Sequence, residues 1–109
     1  MGSVTQGQSK AFIKEIMERR LDGAKKIMAG LAINNWPQVE EGTEILLEST
    51  RPLGWKGAYR QKLEARDGSL RSAVKTLESF VEIRNGDGAR LIYIQVIMSC
   101  MDCHNLRRE

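Results

Sequence analysis

The first third of the chain carries apolar residues at a spacing that an α-helix gathers on one side. They recur every three or four positions: Ile13, Met17, Leu21, Ala24, Met28 and Leu31. This interval matches the turn of an α-helix, so it predicts one amphipathic helix over residues 8–34 with these side chains buried. The run Asn34-Asn35-Trp36-Pro37 ends that helix, because asparagine caps helices and proline suits the first turn of the next one.

The rest of the chain repeats the helical pattern three times. The predicted helices cover residues 37–49, 58–84 and 88–107, with Asp87 as the cap of the last one. Their inner faces are predicted to bury Val39, Thr43 and Leu46; Leu63, Leu70, Val74, Leu77 and Val81; and Ala89, Ile92 or Tyr93, Val96, Cys100 and Cys103 with His104. Residues 50–57 form a turn-rich connection, and Asp67-Gly68-Ser69 is a candidate break inside the third helix.

Four amphipathic helices with short connections predict an all-α fold, an antiparallel up-down-up-down four-helix bundle. The 109 residues predict a single domain over residues 1–109. Residues 1–7 are expected to be a remnant of an expression vector or a flexible tail. The net charge of +3 is modest, and basic residues alternate with acidic ones, which argues against nucleic acid as a partner. The longest apolar run, residues 91–98, is interrupted by Gln95, so membrane insertion is not expected.

The segment Cys100-Met101-Asp102-Cys103-His104 contains both cysteines and the only histidine of the chain. A structural zinc site fits poorly, because it needs four protein ligands and Asp102 points away from its neighbours on a helix. Thiol redox chemistry also fits poorly, because it needs a thiolate stabilised at a helix N-terminus, and these cysteines lie in the last turns. The segment matches the attachment signature of haem c, in which two thiols bind the macrocycle and the histidine binds iron.

A four-helix bundle with Cys-x-x-Cys-His in the last turns of its final helix resembles the class II c-type cytochromes, the cytochrome c-prime superfamily. The layout is similar over nearly the whole chain, whereas identity of motif is confined to Cys100, Cys103, His104 and the basic residue Arg108. The resemblance implies one haem c near the C-terminal end of helix four. It also implies export to the periplasm, with the native signal peptide absent from this sequence.

The sixth position of the iron divides that superfamily. Cytochromes c-prime leave it open and bind nitric oxide or carbon monoxide, whereas six-coordinate relatives fill it with a methionine from early in helix one and carry electrons. Asn34 and Asp87 are taken as level at one end of an antiparallel bundle. Met17 and His104 then lie equally far from that end, about 25 Å by helical rise, and can face each other across a haem. On the same rise Met28 lies about 16 Å from Met17 and is predicted to be core.

The connection between helices two and three is expected at the haem end of the bundle. Three residues are candidates to cover the ring: Leu53, Trp55 and Tyr59. Four basic residues are candidates to meet the propionates: Lys56, Arg60, Lys62 and Arg66. Arg66 is the best placed of them, because it interrupts the apolar stripe. Phe12 and Ile13 are expected to shield the distal side, and Trp36 to cap the core at the opposite end.

These observations predict a periplasmic cytochrome that carries single electrons between redox partner proteins through a His/Met-ligated haem. Positive charge near the attachment site favours an acidic partner, and it comes from Lys10, Lys14, Arg107 and Arg108. Enzymatic catalysis is not expected, because the chain has no second histidine, no phosphate-binding loop and no nucleophile with a matched base.

Two alternatives remain open. In the first, the protein is a five-coordinate c-prime-like protein that binds nitric oxide or carbon monoxide, and Met17 only packs over the distal face. In the second, it is a structural bundle in which Cys-x-x-Cys-His is incidental. The resemblance also admits a homodimer, since c-prime relatives pair through helices one and two, although the outer faces of the predicted helices show no second apolar stripe.

Overall fold

The computed structural model describes the backbone of residues 10–108 and the side chains of residues 10–105. Four α-helices follow one another in this part of the chain: α1 (Lys10–Ile33), α2 (Trp36–Glu48), α3 (Arg60–Glu82) and α4 (Gly86–Arg108). No strand occurs within residues 10–108, and the arrangement is compatible with a four-helix bundle. The predicted helices agree with these bounds to within two residues at each end. The predicted tail, residues 1–7, lies outside the described residues.

Asparagine side chains begin two of the helices. Asn35 caps α2, where its side-chain oxygen accepts a hydrogen bond from the N–H of Gln38 at 3.3 Å. Asn85 caps α4 in the same way, accepting from the N–H of Gly88 at 3.0 Å. The prediction of Asp87 as that cap is therefore wrong, because α4 begins earlier and Asp87 already lies in its first turn.

The third helix passes through Asp67-Gly68-Ser69 without interruption. The prediction of one continuous helix is confirmed and the candidate break does not occur. The carboxylate of Asp67 is buried and bonded to side chains of other elements. A buried and satisfied aspartate does not compete for the backbone groups of its own helix.

The core confirms most of the predicted inner faces. The buried side chains at its centre come from all four helices: Ile27, Leu31, Val39, Leu46, Leu70, Val74, Leu77, Val81, Ala89 and Val96. Two predictions on α1 are wrong, since Leu21 and Met28 are 59% and 57% exposed. The helix is rotated so that Gly23 and Gly30 are buried instead.

These glycines let α1 and α2 approach each other closely. A Cβ atom placed on Gly42 would lie 2.7 Å from the carbonyl oxygen of Gly23, and one placed on Gly30 would lie 2.6 Å from Cγ2 of Val39. No side chain larger than hydrogen fits at that separation. The predicted stripe assigned the wrong face because glycine carries almost no hydrophobic signal, although here it marks a close approach of two helices.

The first and last helices make the least extensive contact of the packed pairs, whereas α1 packs mainly on α2 and α3 on α4. Two hydrogen bonds join α1 to α4. Arg90 donates to the side chain of Asn34 at 3.2 Å, and the hydroxyl of Tyr93 donates to the carbonyl oxygen of Ala24 at 2.7 Å. Burial raises the pKa of Tyr93, so this hydroxyl keeps its proton and the bond persists at neutral pH.

An apolar stripe that was not predicted lies on the outer face of α4. Its members recur at intervals of three and four positions, and each is more than half exposed: Leu91, Ile94, Met98 and Met101. The expectation that the outer faces carry no second apolar stripe is therefore wrong. Within the described part of the chain, no helix is both long enough and apolar enough to cross a bilayer.

Replacing Gly42 with alanine is expected to destabilise the protein, because the new methyl group would meet the backbone of α1. We expect the free energy of unfolding to fall by about 1–3 kcal/mol. Gly68→Ala is the matched control, since no atom lies within 4 Å of its added Cβ and alanine favours a helix interior by about 0.5–1 kcal/mol. Urea unfolding of both variants measures the difference. Equal stability of the two variants would contradict the close approach of α1 and α2.

Candidate functional site

A cavity of about 140 Å³ lies between α1, α3 and α4. Part of its wall is apolar, formed by Leu21, Ala24, Leu70 and Ile97. The rest of the wall is formed by polar, charged or sulfur-containing side chains: Met17, Arg20, Arg66, Asp67, Ser99, Cys100, Cys103 and His104. The cavity therefore brings together both thiols, the only imidazole of the chain and one thioether.

Three of these groups come from successive turns of α4. Cys100 is partly buried, Cys103 is buried and His104 is exposed, although all three line the cavity. Residues three and four positions apart share one face of a helix, which is why Cys100 lies beside both of the others.

Cys100 does not resemble a redox-active thiol. Its burial raises the pKa of the thiol, and this effect outweighs the lowering by the positive charge of Arg20. The charges of Cys103 and Asp67 raise the pKa further. A thiol of this kind keeps its proton at neutral pH, whereas redox chemistry at Cys-x-x-Cys needs a stabilised thiolate.

Met17 lies on the α1 side of the cavity and His104 on the α4 side. Both residues therefore line one cavity, although they come from opposite ends of the chain. Met28 does not reach this cavity and is exposed on the surface.

The connection between α2 and α3 closes the end of the fold near the cysteines. Leu53 and Trp55 are buried there with Leu63 and Cys103. Three apolar residues from the start of α1 pack against this cluster: Phe12, Ile13 and Ile16. The cluster agrees with the predicted position of the connection, although Leu53 and Trp55 lie behind the cavity wall and not on it.

The other predicted pocket residues are scattered. Arg66 lines the cavity and is exposed. Tyr59 is 43% exposed at the start of α3, with the ammonium of Lys62 6.0 Å from the centre of its ring. Lys56, Arg60 and Lys62 are exposed and do not line the cavity. Trp36 packs on the core at the other end, with the guanidinium of Arg84 5.6 Å from its ring.

A buried polar network forms part of the cavity wall. Arg20 and Asp67 are only 6% and 8% exposed, and the guanidinium of Arg20 donates to the carboxylate of Asp67 at 3.2 Å. The other carboxylate oxygen of Asp67 accepts from the indole N–H of Trp55 at 2.7 Å. Arg20 also donates to the side chain and the carbonyl oxygen of Ser49, at 3.3 and 2.9 Å.

The network was not predicted from the sequence, although the position of Asp67 indicates that this residue is buried. Asp67 lies four positions after Leu63 and three before Leu70, on the buried stripe of the third helix. A charged residue at such a position must be paired, because burying an isolated charge is very costly. Its partner Arg20 sits on another helix, and sequence spacing alone does not identify partners between helices.

Among the described residues, no three side chains of the His, Cys, Asp or Glu type lie close enough together to hold a bare metal ion. Comparison of the chain with known protein families, with curated proteins and with solved structures finds no match. The resemblance to class II c-type cytochromes therefore rests on the motif and layout of this chain.

Replacing Asp67 with asparagine is expected to cost much stability, because it leaves the charge of Arg20 buried without a counter-charge. We expect the free energy of unfolding to fall by about 3–5 kcal/mol. Glu48→Gln is the matched control, since Glu48 pairs with Arg19 and Arg51 through side chains that are about half exposed or more, and such pairs contribute at most about 1 kcal/mol. Chemical unfolding measures both variants. A loss at Asp67 no larger than that at Glu48 would contradict a buried ion pair.

Proposed function

We propose that this protein is a c-type cytochrome that carries single electrons. Haem c is attached through Cys100 and Cys103, with His104 as the proximal ligand and Met17 as the distal ligand. The observation that carries this proposal is the donor set of the cavity, since both thiols, the imidazole and the thioether of Met17 line one space. They come from opposite ends of the sequence.

The contacts between α1 and α4 support an antiparallel up-down-up-down bundle. Asn34 bonds to Arg90 and Ala24 bonds to Tyr93, while Arg20 lines the cavity beside Cys100. The residue numbers of these partners decrease along α1 while those along α4 increase, as expected for antiparallel helices. This order supports a position of Met17 opposite the last turns of α4, from which Met17 and His104 could bind one iron.

The size of the cavity bears on how a macrocycle would enter. The cavity measures about 140 Å³, whereas ligand sites of small molecules usually measure about 300–1,000 Å³. Haem therefore requires the cavity to widen. The cavity lies between α1 and α4, which make the least extensive contact of the packed helix pairs. Separating these two helices would therefore disrupt less packing than separating another pair. Leu21 on that rim is already exposed and would gain an apolar partner.

Each group of the chain has a defined task in this proposal. When bound, haem supplies iron that accepts and releases one electron, and a His/Met ligand pair raises its reduction potential. The thiols of Cys100 and Cys103 fix the ring to α4, and the imidazole of His104 binds from the same helix. Met17 offers a soft, uncharged sulfur from the other side. The apolar wall limits access of water, which keeps the site suited to electron transfer without other chemistry.

The charge around this end of the fold supports an acidic redox partner. The first turns of α1 and α3 carry exposed basic side chains, interspersed with the exposed acidic residues Glu15, Glu18 and Glu64; the basic ones are Lys10, Lys14, Arg60, Lys62 and Arg66. Such a surface accelerates encounter with an acidic protein more than it strengthens the complex. Arg107 and Arg108 belong to α4, but their side chains lie outside the described residues. Covalent haem attachment also implies an oxidising compartment, and the proposal therefore places the protein in the periplasm.

Replacing Met17 with alanine is expected to abolish sulfur ligation while the haem stays attached. The wild-type protein should show a low-spin absorption spectrum with the weak far-red band of a sulfur ligand, unchanged by carbon monoxide after reduction. Met17→Ala should lose that band, bind carbon monoxide and have a lower reduction potential. Met28→Ala is the matched control, because Met28 is on the same helix but exposed, and its spectrum should match the wild type.

The opposite spectrum would favour the five-coordinate alternative. A high-spin wild-type protein that binds carbon monoxide would mean that Met17 only packs over an open distal site. The apolar wall formed beside it by Leu21 and Ala24 would then serve a small uncharged gas.

A further inference from the structure

The Arg20–Asp67 pair differs from the other ion pairs of the described residues in its burial. Its two side chains are 7% and 10% exposed, whereas every other pair includes side chains that are about one third to fully exposed. Replacing such a pair with apolar residues often leaves stability unchanged or increases it, so stability alone does not explain its presence. Its position suggests another role, since both residues line the cavity with Met17 and His104.

The geometry holds the charge of Arg20 in one place. Its guanidinium donates to the carboxylate of Asp67 and, in two further hydrogen bonds, to Ser49. The carboxylate is itself fixed by the indole N–H of Trp55. A guanidinium keeps its charge at all ordinary pH values. The wall of the cavity therefore carries a permanent positive charge, which its bonds to Asp67 and Ser49 leave little freedom to move.

Both charges act across the cavity. Arg20 and Asp67 both line it, together with Met17 and His104. Arg20 also follows Met17 by three residues, about 4.5 Å along the axis of α1.

We propose that the Arg20–Asp67 pair tunes the reduction potential of the haem site, with Arg20 raising the potential and Asp67 lowering it. This inference rests on the proposed function. The step concerned is the arrival of one electron from a redox partner and its later departure, and no bond forms or breaks. The oxidised site carries one more positive charge than the reduced site. A positive neighbour therefore disfavours the oxidised state and a negative neighbour favours it, and burial leaves both effects poorly screened.

The experiment compares the reduction potentials of haem-bearing variants that change one charge at a time. Arg20→Gln should lower the potential and Asp67→Asn should raise it. Arg20→Lys keeps the charge, so its potential should stay close to that of the wild type. The double variant Arg20→Gln/Asp67→Asn buries no net charge, and its potential should lie between those of the two single variants. Arg19→Gln is the control, because the half-exposed Arg19 neighbours Arg20 in sequence and is solvated.

A purely structural role gives a different pattern. If the pair only held the wall together, each single variant would admit water to the site, and hydration of the haem would lower the potential in both. Urea unfolding of the same variants measures the structural contribution separately. If Arg20→Gln fails to fold, Asp67→Asn still separates the two roles, because tuning raises its potential and water entry lowers it. If Asp67→Asn fails to fold, the potential of the double variant should lie above that of Arg20→Gln under tuning, whereas water entry predicts a potential no higher.

The outcomes separate this inference from the proposed function. Shifts of opposite sign at Arg20 and Asp67, with little change at Arg19, support tuning by the pair. Shifts of the same sign, or shifts no larger than that of Arg19→Gln, overturn it and leave the cytochrome proposal intact. A wild-type protein that carries no haem after expression with the haem-attachment machinery overturns both proposals.

Discussion

Arg20 joins three parts of the chain around one cavity, and the architecture of the site depends on it. Its guanidinium binds the end of α2 through Ser49 and the middle of α3 through Asp67. Asp67 in turn holds Trp55, which anchors the connection between those helices. Removing either charge would leave the other buried without a counter-charge, at a cost of several kcal/mol. The position of this pair therefore fixes where α1, α3 and the α2–α3 connection meet.

The packing of the helices is uneven, and this unevenness has a consequence for function. Glycines draw α1 tightly against α2, and α3 packs extensively on α4. The fold thus resembles two helical pairs with a weaker seam between α1 and α4, and the cavity opens along that seam. Helices in such an arrangement can separate locally without loss of the main core. A site built there accommodates a bulky group while Ile27, Leu46 and Leu77 stay buried at the centre.

The sequence predicted the four helices well because their apolar spacing and their asparagine and proline signals are local. Helical rise also predicted Met17 level with His104, and both residues line the cavity. The sequence did not predict features that depend on contacts between helices. The face of α1 was misassigned because Gly23 and Gly30 carry no hydrophobic signal, and Arg20 was overlooked because its partner Asp67 is distant in sequence.

Some predicted site residues depend on details that spacing does not determine. Trp55 is buried as a second layer behind the cavity, whereas Tyr59 remains exposed although it lies only four residues later. Both belong to a connection without regular structure, where no periodicity indicates which side chains turn inward. The exposed apolar stripe on α4, from Leu91 to Met101, was likewise not predicted. This helix is apolar on more than one side, so its spacing does not distinguish the buried face from the exposed one.

Covalent attachment of haem is tested most simply by the mass of the intact protein. The protein is expressed in the periplasm with the haem-attachment machinery and purified under denaturing conditions. We expect the wild-type polypeptide to retain the mass of one haem under denaturation. A variant with alanine at both Cys100 and Cys103 should lack this added mass. A wild-type protein with the mass of the polypeptide alone would contradict the account, because its two thiols and its histidine would then line the cavity without holding a cofactor.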